Sequence, residues 1–127
     1  MSDDVLYIVR TPAADTYHYN RHGGSYIDGR LLGGPDAFLR EARSQRPASR
    51  HHLGWVLSGI ALIDVAAKAV WFYSAQPVLR SALGMRVFLR LLEPDWPGWR
   101  LEWMLDPVGT VAGLLPGDAP RSHTRPP

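Results

Sequence analysis

A chain of 127 residues, 46% apolar and carrying five Trp, is long enough for one domain with a real core. Its formal net charge of +2 is evenly spread: residues 1–50 hold seven Arg against six acids, and residues 51–127 hold seven basic groups against six acids. The totals therefore give no one-sided basic patch, which disfavours nucleic acid as a partner, and the absence of Cys excludes disulfides, thiolate metal sites and Cys nucleophiles.

Met1-Ser2-Asp3-Asp4 is acidic and has no apolar h-region, so no secretory signal peptide is expected and the default location is the cytoplasm. Val5-Leu6-Tyr7-Ile8-Val9 is β-branched and aromatic and reads as a strand. Turn chemistry follows in Thr11-Pro12-Ala13-Ala14-Asp15, and Thr16-Tyr17-His18-Tyr19-Asn20 is the second arm of a hairpin. Period two puts Tyr17 and Tyr19 on one face and His18 on the other. Gly23-Gly24 ends that strand. Gly34-Pro35-Asp36 opens a helix that runs to about Ser44, with Pro at its start and Asp in its first turn. Arg46 to His52 is a polar loop, and Trp55-Val56-Leu57 is a short strand.

Ile60 to Val65 and Ala69 to Tyr73 form a central hairpin across Ala66-Ala67-Lys68, apolar enough to be covered on both faces. Leu53 to Tyr73 approaches the ~20 residues of a spanning helix. Asp64 and Lys68 lie near its centre, each costing roughly 2.5–3.5 kcal/mol on insertion scales, and no membrane partner is expected. From Pro77 to Leu92 the period is helical, with Val78, Leu79, Ala82, Leu83, Val87, Phe88, Leu91 and Leu92 as core and Arg80, Arg86 and Arg90 as the wet face. Glu93 to Gly98 stops that helix with two Pro and a Gly. Trp99 to Leu105 alternates as a strand, and Asp106-Pro107 caps a last helix through Leu114 or Leu115. Residues 1–115 are thus expected to form one α+β domain, an antiparallel two-layer sandwich with order β-β-α-β-β-α-β-α. Residues 116–127 are expected to be a disordered tail rich in Pro and Arg.

Polar chemistry is densest at Tyr17-His18-Tyr19-Asn20-Arg21-His22-Gly23-Gly24-Ser25-Tyr26. His18 and His22 are spaced as an H-x-x-x-H pair, but an extended strand sets them roughly 13 Å apart, and no Glu follows His18 to complete a zinc motif. No metal and no cofactor are expected. The Gly pairs match no phosphate-loop spacing, and Asp36 would repel a phosphate at the helix start. An acid–base pair would draw on His18 or His22 with Asp28 or Asp64, since imidazole titrates near neutrality. Asp64 interrupts an apolar hairpin, where the plainer reading is that it accepts turn N–H groups.

The layout resembles a loose class of small bacterial α+β proteins. The resemblance rests on the aromatic-x-aromatic hairpin end at Tyr17 to Gly24, the apolar hairpin with Asp64 at its turn, and the Trp96-Pro97-Gly98-Trp99 strand entry. It implies a fold and a bacterial origin and carries no catalytic residues. Abundant Trp, Tyr and Arg, the residues that most often anchor interfaces, point to a binding module of the immunity, inhibitor or accessory kind. Tyr17, Tyr19, Asn20, Arg21, His22, Tyr26, Arg43 and Arg46 are the expected binding residues for a protein partner. The alternative is a small enzyme built on His18 or His22 with Asp64 or Asp28.

Overall fold

The computed structural model describes residues 4–21, 27–54, 57–76 and 81–115. β1 (Val5–Arg10) and β2 (Asp15–Asn20) form the expected hairpin, with Thr11 N–H donating to the Ala14 carbonyl at 3.0 Å and Arg10 pairing with Asp15 at 3.0 Å across the turn. Two helices follow, α1 (Ile27–Leu31) and α2 (Gly34–Arg43). The chain then makes a two-residue strand, β3 (Arg46–Pro47), and a 3₁₀ turn at Arg50–Gly54. β4 (Gly59–Asp64) and β5 (Ala69–Ser74) are the second hairpin. α3 (Ala82–Leu92), a 3₁₀ turn at Glu93–Asp95, β6 (Arg100–Trp103) and α4 (Pro107–Leu114) complete the described chain.

The strands make one mixed sheet in the order β3-β2-β1-β4-β5-β6. Both hairpins are antiparallel and β2 pairs antiparallel with β3, whereas β1 runs parallel to β4 and β5 parallel to β6. The α+β class therefore holds, and the antiparallel two-layer sandwich is corrected. The reason lies in the two central strands. Val5 to Val9 and Ile60 to Ile63 are buried at every position, so both faces of the sheet need cover. On one face Val5, Tyr7, Val9, Ala61, Ile63, Val70 and Phe72 pack with residues of α1, α2 and α3 and with Trp96. On the other, Leu6, Ile8, Ile60 and Leu62 pack with Leu53, Met104, Val111 and Leu115. The parallel pairings arise because long connections separate β1 from β4, and a helix-bearing crossover separates β5 from β6.

Several local expectations hold. The Asp106 side chain accepts from the Gly109 N–H at 3.2 Å and Pro107 opens α4, as a cap requires. Trp99, Leu101 and Trp103 pack toward the same core cluster. Others change. The loop expected from Arg46 to His52 contains β3 and a 3₁₀ turn, and α1 arises where no helix was expected. Leu57 belongs to no strand, while Trp55 and Val56 lie outside the described residues, as do residues 77–80 of the expected long helix and the expected tail at 116–127. The Ser81 hydroxyl caps α3 by accepting from Gly84 N–H at 3.0 Å.

The expected core face of α3 is corrected too. Met85, Phe88 and Leu92 meet the sheet, whereas Leu83, Val87 and Leu91 face outward. At about 100° per residue the expected apolar set spreads around nearly the whole helix circumference, so one face cannot bury all of it. Gly34 is the glycine with the clearest requirement: its φ is +86°, and a Cβ there would sit 2.8 Å from the Asp95 carbonyl oxygen. Among the described residues, no helix is long and apolar enough to cross a membrane.

Candidate functional site

Chemistry-bearing side chains gather at one corner of the sheet, where β1 starts and β2 ends. The β2–β3 register sets Tyr19 opposite Arg46 and His18 opposite Pro47. On its other side Tyr19 is opposite Leu6 and Tyr17 opposite Ile8. Strand alternation then carries Tyr17, Tyr19 and Arg46 toward one face of the sheet, and His18 and Asn20 toward the α2 face, while Arg21 follows the end of β2.

Tyr19 is buried, 6% exposed, and its ring lies 5.0 Å from that of His52. Burial, and after it a hydrogen bond to the Asp4 carboxylate, pushes its phenol above the ordinary value. It therefore stays a neutral donor near neutral pH. His52 is held by Ser49, whose carbonyl lies 3.1 Å from Nδ1, and its ring centroid lies 4.7 Å from that of His51 at a tilt of 37°. These contacts build a wall of rings whose positions are fixed from behind.

On the α2 face a polar relay holds the end of β2. Asn20 Nδ2 donates to Gln45 Oε1, and Gln45 Nε2 donates to the Glu41 carboxylate at 2.7 Å and to the Glu41 carbonyl at 2.9 Å. Glu41 in turn pairs with Arg30 of α1. The relay links β2, α2 and α1, so the corner is pre-organised by side chains that sequence spacing alone does not connect.

Three open hollows meet here. One of about 300 Å³ is lined by Tyr19, Asn20, Arg21, Ser44, Gln45 and Arg46. A second, of about 370 Å³, shares Tyr19, Arg21 and Arg46 with it and adds Asp4, Pro47 and His52. The third, about 470 Å³, runs along α2 past Asp36, Leu39, Arg40 and Arg43 and meets the first at Ser44. Arg21, Arg40, Arg43 and Arg46 are all exposed, and none has an ion-pair partner among the described residues. Carboxylates around these hollows are Asp4, already bonded to Tyr19, and Asp36.

The structure thus brings together five of the expected binding residues: Tyr19, Asn20, Arg21, Arg43 and Arg46. Tyr17 is not among them. It is half-buried against the Leu6–Ile8 cluster, where burial raises its phenol and nearby Arg50 opposes the rise. His22 and Tyr26 lie outside the described residues. Asp4 and Gln45, which spacing did not single out, join the site from just before β1 and just before β3, and His52 joins it from the 3₁₀ turn after β3. A cue for Gln45 was its place at the end of the α2 pattern.

The acid–base candidates are not brought together. His18 sits on the Tyr7 rung of β2, and Asp64 on the Arg10 rung of β4, two strands away. At ~3.3 Å per residue and ~4.8 Å per strand their backbones are about 14 Å apart. Asp64 accepts the Ala67 N–H at 3.0 Å and so caps the β4–β5 turn, the plainer of the two readings. His18 Nε2 is 3.0 Å from the Thr16 hydroxyl, and its Nδ1 is buried with no hydrogen-bond partner among the described residues. Burial lowers its pKa below the usual imidazole value, with the Gln45 backbone opposing and Arg43 adding to the fall. Asp28 falls within α1. No three His, Asp or Glu side chains among the described residues are placed to hold a metal ion. The chain matches no protein-family model, no curated protein and no solved structure.

Proposed function

We propose that this chain is a binding module, of the immunity, inhibitor or accessory kind, that docks an acidic surface of a partner protein against the Tyr19–Arg21–Arg46 corner. The observation that carries the reading is the pair of exposed arginines, Arg21 and Arg46, on one side of a sheet corner with no ion-pair partner among the described residues. Two like charges lining the same hollows repel, so the arrangement favours an incoming anion. Guanidinium forks match carboxylates in two-point geometry. Arg40 and Arg43 extend the basic rim along α2, giving the long-range attraction that raises association rates. The buried Tyr19 ring and His52 supply a preset aromatic wall, and the Asn20–Gln45–Glu41 relay limits the ordering that binding must impose.

The test uses the whole chain as bait in lysate of its source cell, beside the double variant Arg21→Gln/Arg46→Gln. The wild type retains a stoichiometric partner that salt releases. The variant loses it, while its urea unfolding shifts by less than about 0.5 kcal/mol, as expected of exposed positions. Equal capture by the two proteins, or capture that salt leaves unchanged, refutes the assignment.

A further inference from the structure

The outward face of α3 is apolar where a lone helix on a sheet would be polar. Leu83 is 69% exposed, Val87 53% and Leu91 59%, at spacing i, i+4 and i+8. At about 100° per residue the three make a narrow strip along the helix, about 130° around from the buried Met85, Phe88 and Leu92. Pro94, also exposed, prolongs the strip past the C-terminus. Arg86 and Arg90, both exposed, run along one edge of it, and neither has an ion-pair partner among the described residues. The other edge carries Gly84, and exposed Glu93 and Asp95 follow at the end. This surface lies over β5 and β6, at the opposite edge of the sheet from the Tyr19 corner.

Three occupants compete for such a strip. Residues 116–127, Pro-Gly-Asp-Ala-Pro-Arg-Ser-His-Thr-Arg-Pro-Pro, offer no large aliphatic side chain and bring two more Arg to an edge that is already basic. A second copy fares little better. A two-fold axis that pairs α3 antiparallel with itself keeps both arginine edges on the same side and gathers four guanidiniums there. A parallel pairing sets each arginine edge against the other copy's Gly84 edge, and α3 carries no acid to meet it. Charge complementarity selects the third occupant.

We propose that the Leu83–Val87–Leu91 strip is a docking surface for an amphipathic helix of another protein, one with an aliphatic stripe and Asp or Glu along the edge that meets Arg86 and Arg90. Glu93 and Asp95 at the end of the strip fix the register, because an acidic side chain there would be repelled. This surface does not depend on the Tyr19 corner, and either can fail alone.

The probes are two synthetic peptides of about 15 residues with Leu at every third or fourth position, one with Glu along one edge and one with Lys there instead. Each is titrated into the ¹⁵N-labelled full chain. The Glu peptide is expected to shift the amides of residues 83–91 and to bind about tenfold tighter than the Lys peptide, the scale of two exposed ion pairs gained or opposed. Arg86→Glu/Arg90→Glu inverts that preference, and Leu83→Ser/Leu91→Ser weakens the Glu peptide by about tenfold or more. All three outcomes support the proposal. Equal binding of the two peptides, or shifts confined to other elements, overturns it. A dimer in sedimentation that Leu83→Ser/Leu91→Ser dissolves overturns it in favour of a second copy. Cosedimentation with phosphatidylserine vesicles that the same variant abolishes overturns it in favour of a lipid surface.

Discussion

Trp96 is the residue whose alteration most directly tests how the α1–α2 layer is held. It is 2% exposed, and its indole N–H donates to the Leu31 carbonyl at 2.6 Å, joining the turn after α3 to the end of α1 across 65 residues. Its ring meets Phe38 edge-on at 5.9 Å and Trp99 at 5.3 Å. Trp96→Phe keeps an aromatic ring and removes the donor. The Leu31 carbonyl belongs to the last turn of a helix and has no further turn to serve as partner. Leaving a buried acceptor unpaired costs about 1–3 kcal/mol. Shrinking indole to phenyl opens roughly 40 Å³, about 1 kcal/mol at ~24 cal/mol per Å³. The sum is about 2–4 kcal/mol, a large share of the ~5–15 kcal/mol that holds a typical domain. In urea unfolding followed by circular dichroism, a slope of ~1.5 kcal/mol/M turns this into a midpoint lower by about 1–3 M, with the slope unchanged. Trp99→Phe is the control, because Trp99 is only partly buried and packs at the margin of the same cluster; it is expected to cost less than about 1 kcal/mol. Equal shifts in the two variants would show that the buried hydrogen bond adds nothing beyond ring volume.

Two other perturbations follow from the same geometry. His18 has its pKa lowered by burial from 6.5, so the unfolded chain takes up this proton at higher pH than the folded one. Stability then rises with pH through the window below about 6.5 and falls as the solution is acidified through it. His18→Gln is expected to lose less stability than the wild type between pH 7 and pH 5 in urea melts, and parallel curves would contradict the assignment. Gly34→Ala places a Cβ 2.8 Å from the Asp95 carbonyl oxygen at φ +86°, and is expected to cost about 1–3 kcal/mol by thermal or urea unfolding. A cost below 0.5 kcal/mol at ~25 °C would mean that the α2–Asp95 contact yields without strain.

Much of this architecture is legible in the residues because local chemistry specifies it. The β1–β2 and β4–β5 hairpins follow from β-branched and aromatic runs broken by turn residues, and Asp106-Pro107 announces α4. What local chemistry does not carry is the lateral order of strands. Val5 to Val9 is as apolar as Ile60 to Ile63, and nothing in either says that the two lie side by side and parallel, fully covered on both faces. Periodicity also leaves phase open in α3. Phe88 and Leu92 share the set with Leu83, Val87 and Leu91, and only the sheet beneath decides which group is core. The site divides in the same way. Tyr19, Asn20, Arg21, Arg43 and Arg46 stand out by residue type, as does His52 in the basic run that it ends, whereas Asp4 and Gln45 enter only because the β1–β2 and β2–β3 pairings bring the residues flanking those strands to the corner.

The division has a physical cause that bears on function. β1 and β4 are sealed between two apolar layers, so their side chains are committed to packing and offer nothing to a ligand. Polar chemistry is pushed outward to where strands end or where a helix shows its back. At the β2–β3 edge this gives a rigid corner: Tyr19 is fixed by Asp4 and His52, and Asn20 by Gln45, while the neighbouring arginines have no ion-pair partner among the described residues. At the β5–β6 edge it gives a helix with a second apolar strip, which burial beneath α3 does not explain. A residue that is neither needed by the core nor satisfied by its neighbours is the kind whose replacement leaves the fold intact. The corner arginines and the outward aliphatic side chains of α3 are therefore where loss of binding should separate cleanly from loss of stability, whereas Trp96 and Gly34 should lose both together.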